Sequence, residues 1–371
     1  MYKFVVNFLR LFFVLMDWRR AVRILSNKAK LDVVMVSNFR DQIDVVKFGY
    51  RDRPLPNVLP WIRFHWGKVA SQLFMIGIMT EELLGREGKR KGQYQFIEAI
   101  CKPIQEGSKA VMLAANTKRL FGKDAGKLRE EFPGIVFTIG DNCTSLLLCQ
   151  EVERTIAKTG LKVPRILVIG PTGHLGSSVV AWARSNGYEV IGLGSDEKRA
   201  RVAEKELGIP IAIRFDQIGK VDVVVACTHI EESRLSSKNV DLLRKFERKL
   251  AVVDVCEPPN MSEDVYQSCS GRVVRVDAGN AYSRKLKYVL GWFGWSVLRL
   301  KYRMVWGCFA EAMIIAKHLD DPQVASADWM EVSEKNKEII KKYLGTDFNI
   351  SPEPLCFGKP IRNFNLDLLD L

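Results

Sequence analysis

From Arg165 onward the chain alternates short apolar runs with longer stretches of mixed character. Arg165 to Ile169 (Arg-Ile-Leu-Val-Ile) is largely apolar, as expected for a strand covered on both faces. A helix is expected from about Ser177 to Asn186, ended by Gly187. Tyr188 to Leu193 reads as a second strand, Lys198 to Leu207 as a helix, and Val221 to Ala226 as another buried strand. Leu250 to Val255 and Val273 to Val276 add two more strands. Strands alternating with helices at this spacing predict an α/β fold with a doubly wound parallel sheet.

The part before Arg165 reads as mixed α/β. Val33 to Val36 and Val45 to Phe48 look like short strands, and Gln93 to Lys102 like a helix stopped by Pro103. Ala110 to Ala114 and Ile135 to Thr138 are candidate strands, the second ending at Gly140. Thr144 to Lys158 reads as a long helix closed by Gly160. Met1 to Trp18 is apolar and aromatic, but short for a membrane span and interrupted by Asn7 and Arg10. It lacks a small-x-small cleavage site. It reads as an amphipathic helix packed on its own domain or, with Arg19, Arg20 and Arg23 behind it, as a membrane-surface anchor.

Between the first buried strand and its helix lies Gly170-Pro-Thr-Gly-His-Leu-Gly176. In such a turn the first glycine permits the bend, the second lets a pyrophosphate approach the backbone, and the third packs helix on strand. The following helix offers free N–H groups and the positive end of its dipole. Gly170, Thr172, Gly173, His174, Leu175 and Gly176 are therefore candidate cofactor contacts in a Rossmann-type NAD(P) domain. Ser195 with Lys198 or Arg199 after the second strand suits a 2′-phosphate, whereas Asp196 suits the free ribose of NAD. NADPH is the expected cofactor, with NADH open. Cys227 and Thr228 stand where such folds pass beneath the nicotinamide.

The chain of 371 residues and 42.2 kDa is long enough for two or three domains. The expected division is a substrate domain over 1–158, the dinucleotide domain over 159–306, and helices returning to the substrate domain over 307–371. Hydrophobic residues at 47% and charged residues at 27% exclude a disordered or collagen-like chain. Eight dispersed cysteines without a CxxC pair, and four scattered histidines, predict neither a metal site nor a disulfide scaffold. Reduced thiols and a cytoplasmic location follow.

Cys308 opens the apolar run Cys308 to Ala316, where a helix N-terminus lowers a thiol pKa and Arg303 and Lys301 stand nearby. A buried, inert cysteine is the competing reading. Trp306-Gly-Cys-Phe-Ala-Glu-Ala-Met313 resembles the catalytic segment of the long-chain acyl-[acyl-carrier-protein] reductases, the aldehyde-forming cyanobacterial family. Phe137 to Thr144 resembles that family's Thr-x-Gly-Asn-x-x-Thr segment, and Gly170 to Ser177 its glycine turn, in the same order over about Met75 to Ala316.

The resemblance implies a thioester on Cys308, reduction by NADPH, and release of a fatty aldehyde. The substrate it implies is a fatty acyl thioester on acyl carrier protein or CoA. Thr144 and backbone N–H groups are then the candidate donors to the transient oxyanion, with helix capping as the alternative for Thr144. The chain departs from the family at His174, Asp141 and Ser195, and reads Val255-Cys-Glu-Pro-Pro-Asn260 where the family carries a lysine. Two other functions stay open: an NAD(P) dehydrogenase of the shikimate or amino-acid type, and a non-catalytic, membrane-associated NADP-binding protein.

The net charge of +13 gathers in aromatic-rich segments. From Ala278 to Ala310 there is no acidic residue, while Arg284, Lys285, Lys287, Arg299, Lys301 and Arg303 accompany Trp292, Trp295 and Trp306. At helical period, Leu286, Leu290, Phe293, Val297, Leu300 and Met304 form an apolar stripe opposite Tyr288, Trp292, Trp295 and Arg299. This suits a core helix, a peripheral membrane contact or a docking face for acidic carrier protein. Arg86, Lys89, Arg90 and Lys91 form a second basic cluster, read as a solvated loop or a contact for carrier or lipid. Trp61, Phe64 and Trp66 with Arg63 and Lys68 form a third patch. No recognisable nucleic-acid-binding module accompanies the bases.

Overall fold

The computed structural model describes residues 25–26, 31–48, 50–51, 53–122, 125–228, 230–288, 300–362 and 364–367. The Met1 to Trp18 run, Arg19, Arg20 and Arg23, and residues 289–299 with Trp292 and Trp295 lie outside the described residues. In chain order the strands are β1 (Val33–Phe39), β2 (Val58–Trp66), β3 (Val69–Met79), β4 (Ala110–Leu113), β5 (Val136–Thr138), β6 (Arg165–Ile169), β7 (Glu189–Leu193) and β8 (Ile211–Ala212). There follow β9 (Val223–Ala226), β10 (Leu250–Asp254), β11 (Val273–Asp277), β12 (Asn280–Tyr282), β13 (Leu286–Tyr288), β14 (Met304–Trp306), β15 (Leu355–Cys356) and β16 (Lys359–Pro360). Helices are α1 (Gln42–Lys47), α2 (Arg86–Gln105), α3 (Gly126–Glu131), α4 (Asp141–Thr159), α5 (His174–Ser185), α6 (Glu197–Leu207), α7 (Ser237–Leu243), α8 (Glu263–Ser268) and α9 (Gly307–Lys317). Two short helices, α10 (Pro322–Ser326) and α11 (Glu334–Lys341), come last.

The chain divides into two compact units, residues 1–143 with 282–348 and residues 144–281 with 349–371. The first holds a six-stranded sheet in the order β13-β2-β3-β1-β4-β5. Strands β3, β1, β4 and β5 run parallel, whereas β2 joins β3 as an antiparallel hairpin. Val33 to Val36 are fully buried, so both faces of β1 are covered. Val34 and Val36 share a cluster with Phe96 and Ile100 of α2. Helix α9 is apolar nearly all round, with Phe309 to Ile315 buried, and packs on β1, β3, β4 and β14.

Several expectations for this unit change. Val45 to Phe48 is not a strand: α1 runs to Lys47, opened by Asp41, whose Oδ1 accepts the Asp44 N–H at 2.9 Å. Helix α2 passes through Pro103, which falls in its last turn where little helix remains to be kinked. The basic residues Arg86, Lys89, Arg90 and Lys91 are exposed on the opening turns of α2 and not in a loop. Phe64 and Trp66 form no surface patch but face the interior of β2, and Arg63 is buried with its Nε donating to Gln72 at 2.9 Å. Leu286 and Tyr288 are buried with Lys287 exposed between them, a period of two, and they pair with Trp66 and Phe64. The helical stripe expected there is thus a strand in its described part.

The second unit holds a parallel sheet in the order β11-β10-β9-β6-β7-β8. Counted from its first strand this is 3-2-1-4-5-6 read from β8, the doubly wound order with its reversal between β6 and β9. Val223 to Val225 and Ala251 to Val253 are fully buried, so the continuous apolar runs reflect cover on both faces. Residues beyond 348 count with this unit and not, as expected, with the substrate domain. Lys249 N–H donates to Leu366 O at 2.9 Å. Buried Arg275 pairs with Asp254 and Asp277, and Asp277 accepts the N–H groups of Phe357 at 3.1 Å and Gly358 at 2.7 Å. The Phe357 ring lies 4.1 Å from the Arg275 guanidinium.

Candidate active site

Two constellations, one in each unit, carry chemistry. In the first unit Cys308 is the second residue of α9, partly exposed. Its backbone nests against Gly140, which has φ +76°. A Cβ on Gly140 would lie 2.2 Å from the Cys308 Cβ and 2.4 Å from its Cα, so only glycine allows this approach. The next residue, Asp141, opens α4 and forms an ion pair with Lys118 at 2.5 Å.

Lys118 rides on the short 3₁₀ turn Ala115–Arg119, which a polar lattice holds. Asn38 Oδ1 accepts the Asn116 N–H at 3.1 Å, and both asparagine amides donate to Thr80 Oγ1 at 3.0 Å. Thr117 Oγ1 donates within reach of Ala114 O (2.6 Å) and Val36 O (3.1 Å). One helical turn beyond Cys308, Glu311 is fully buried. Its Oε1 accepts from Thr138 Oγ1 at 2.5 Å and its Oε2 from the Cys143 N–H at 2.7 Å.

The electrostatics differ from the expectation of a lowered thiol. Burial pushes the Cys308 thiol up to about 12. Lys118 and the Phe309 N–H draw it down, while Asp141 and Glu311 push it further up. The helix N-terminus is therefore outweighed by desolvation, and the cation that acts on the sulfur is Lys118. Burial opposes the charge of Lys118, but Asp141, Cys308 and Glu311 together hold the ammonium above its ordinary value. Burial lifts Glu311 to about 7 against the pull of its Thr138 and Cys143 donors. A carboxyl at that value exchanges its proton near neutrality.

In the second unit the glycine turn stands after β6, at the reversal of strand order. Gly170 has φ +80°, and a Cβ there would lie 2.9 Å from the Thr228 side chain. One on Gly176 would lie 2.1 Å from Gly170 O. Gly173 is different: its Cβ would meet only Gly170 O, at an ordinary 3.7 Å. The protein itself does not require glycine at 173, whereas a pyrophosphate lying on the backbone would. Helix α5 begins at His174, three residues before the expected Ser177, because the Ser177 N–H already donates to Gly173 O at 2.8 Å. Thr172 and His174 are exposed, and Leu175 packs toward the core.

Ser195 and Arg199 are exposed after β7, with Lys198. Asp196 is the N-cap of α6, its Oδ1 accepting the Arg199 N–H at 2.8 Å. It thus serves the helix, three residues beyond the end of β7. Cys227 N–H donates to Ile169 O at 2.9 Å, and burial pushes its thiol up. The Thr228 carbonyl is pinned by Asn260 Nδ2 at 2.7 Å, a contact the sequence did not announce. The structure thereby brings Gly170, Gly173, Gly176, Cys227 and Thr228 to one edge of the sheet.

Thr144 is buried in the opening turn of α4, which begins at Asp141, so it is not the cap; its methyl lies 3.1 Å from the Cβ position of Gly279. Sequence reasoning missed Lys118, Thr138 and Glu311. Two of them had a local signal: Glu311 is the lone charge between Cys308 and Ala316, and Thr138 opens the Thr-x-Gly segment.

No family model matches the chain, and no curated protein does. Solved structures resemble parts of it. The CAD of Helicobacter pylori, complexed with NADP(H), is 18% identical over 37% of this chain and 38% of its own, with a TM-score of 0.29. One of the subunits of dipicolinate synthase from Bacillus halodurans is 13% identical over 47% of this chain and 60% of its own, at 0.32. A phosphoglycerate oxidoreductase of Rhizobium etli is 14% identical over 48% of this chain and 65% of its own, at 0.30. The chain spans less than two thirds of the length of each.

Proposed function

We propose that the chain is an NAD(P)H-dependent oxidoreductase that reduces a fatty acyl thioester, carried on acyl carrier protein or CoA, to an aldehyde through an acyl-enzyme on Cys308. One observation carries this reading: a partly exposed cysteine at the start of a buried helix, set against the Lys118–Asp141 pair and a neutral-range carboxyl. Sulfur is both nucleophile and leaving group, which the two halves of such a reaction require. The Cys308 thiolate adds to the acyl carbonyl, the carbon–sulfur bond to the carrier breaks, and the carrier thiol leaves with a proton. The Lys118 ammonium stands by the sulfur to balance the charge that develops. Reduced nicotinamide, when bound, supplies hydride to the acyl carbon. The Cys308–carbon bond then breaks, releasing aldehyde and restoring the thiolate.

The turn from Gly170 to Gly176 fits a dinucleotide pyrophosphate because Gly173 offers bare backbone beside the N–H groups of α5. Ser195, Lys198 and Arg199 would take the 2′-phosphate of NADPH, and Cys227 and Thr228 would border the nicotinamide. The exposed bases on α2 suit an acidic carrier, and Thr144 is the proposed oxyanion donor. No helix among the described residues is long and apolar enough to cross a membrane. Intact-mass spectrometry after incubation with acyl-CoA tests the reading. An adduct of acyl mass, absent from Cys308→Ala, is expected; full reductase activity in that variant refutes it. The raised thiol favours a second reading, a dehydrogenase that makes no covalent intermediate, which that same active variant would support.

A further inference from the structure

We propose that Asp141 is a brake on Cys308: it engages the Lys118 ammonium, the one cation set against the sulfur among the described residues, and so helps burial hold the cysteine in its unreactive thiol form. The inference rests on the reading of Cys308 as the nucleophile, and it makes Asp141 a positioning residue that acts through Lys118. The geometry comes first. Because Gly140 lacks a Cβ, the backbone of Cys308 is seated on the residue that precedes Asp141. The acid is thereby fixed next to the cysteine, at the opening of α4. Lys118 reaches the same place from the 3₁₀ turn and spends its hydrogen bond on Asp141 Oδ1.

Few other charges act here. Strands β1, β3, β4 and β14, packed against α9, carry no ionisable side chain. The groups facing Cys308 are Lys118 from the 3₁₀ turn, Asp141 and Cys143 from α4, and Glu311 from its own helix. Among the described residues one cation thus serves two carboxyls and a thiol. With Asp141 ionised, a thiolate adds a negative charge that Lys118 has already balanced. Without the acid, Lys118 is free to draw the thiol down against burial, the largest influence on it. The family that the sequence resembles has asparagine at this position, so the acid is a departure of this chain.

The test reads the thiol directly and needs no acyl substrate or cofactor. Iodoacetamide alkylates the sulfur: an S–C bond forms, the C–I bond breaks, iodide leaves, and the thiol proton goes to buffer. Peptide mass spectrometry follows the alkylation rate of Cys308 separately from the other seven cysteines across pH 6–10, the rising limb below its midpoint. Asp141→Asn is expected to react faster at every pH in that range, as a downward shift of the thiol requires. Each unit of downward shift raises the thiolate fraction about tenfold, trimmed to about threefold in rate by the lower nucleophilicity of a less basic thiolate.

Lys118→Met should react more slowly than the unaltered chain. In the double variant, Asp141→Asn should bring a smaller gain, the part due to its own repulsion of the thiolate, because the rest of the brake works through the lysine. Asp141→Glu should restore the slow rate, which a merely structural role would not do. Asp141→Ser, which keeps an acceptor at the helix opening, serves if the asparagine variant does not fold. An unchanged or lower alkylation rate in folded Asp141→Asn or Asp141→Ser overturns the proposal. Faster alkylation with no acyl adduct under any condition would leave the brake standing and remove the acyl-reductase reading instead.

Discussion

The two six-stranded sheets assemble their sites in opposite ways. In the parallel sheet the edge proposed for the cofactor is main chain, drawn chiefly from one seven-residue turn, and its shape follows from where side chains are missing. In the mixed sheet the thiol site is side chain, and Lys118, Asp141 and Glu311 are far apart in sequence. Glycine serves both, for different reasons. Gly170 and Gly176 are required by the protein's own neighbouring atoms, Gly140 by the backbone of the cysteine it seats, and Gly173 by nothing within the chain. A local, backbone-made site tolerates change around it; a site collected from distant elements depends on each close approach.

The sharpest way to break that contrast is Gly140→Ala. The left-handed φ costs about 1–2 kcal/mol and the overlap with Cys308 about 1–3 more, so roughly 2–5 kcal/mol should be lost in urea unfolding. Gly134→Ala, at φ +80° with open space around it, is the control. It should lose only the first part, about 1–2 kcal/mol. Equal losses would mean that the Cys308 approach is not close. In the parallel sheet, Gly176→Ala should cost about 1–3 kcal/mol through its overlap with Gly170 O. Gly173→Ala should change stability by under about 0.5 kcal/mol yet weaken NADPH binding at least about tenfold, read by fluorescence titration. If Gly173→Ala binds NADPH normally, the turn is structural only.

The smallest effect belongs to Glu311. Its folded value of about 7 stands above the ordinary 4.5, so between those limits the folded chain binds more proton than the unfolded one. Stability from this group is full below about 4.5 and is lost as pH rises through 7, with a slope of at most about 1.4 kcal/mol per pH unit. Glu311→Gln should flatten that part of the pH–stability curve. An unaltered slope would show that Glu311 does not carry the proton.

The parallel unit was legible because strands buried on both faces write themselves as unbroken valine and isoleucine runs, as in Val223 to Val225. Its turn was legible because its glycines all fall within Gly170 to Gly176, although one neighbour that demands Gly170, Thr228, lies outside it. The β2–β3 hairpin was not, since Pro60, Arg63 and His65 interrupt the alternation and the aromatic residues between them looked like a surface patch. Leu286 to Tyr288 misled for a related reason: three residues of a strand fit a helical stripe when read with the residues after them. Cys308 was found through its motif, but the charges that govern it were hidden. No spacing rule connects Lys118 to residue 308, and a lysine between Thr117 and Arg119 reads as an ordinary surface base. Asp141 was visible only as a departure from a pattern.

The division of the chain bears on how the protein emerges from the ribosome. Neither unit is one continuous stretch of sequence: β13 reaches back to β2, and Asp277 holds the backbone of Phe357 and Gly358. The first sheet lacks its β13 edge until residue 288 has been made, and in the second Asp277, though paired with Arg275, lacks its two backbone donors until residue 358. Synthesis therefore leaves each unit incomplete until a late segment of its own arrives, so that neither can fold simply in the order in which it is made.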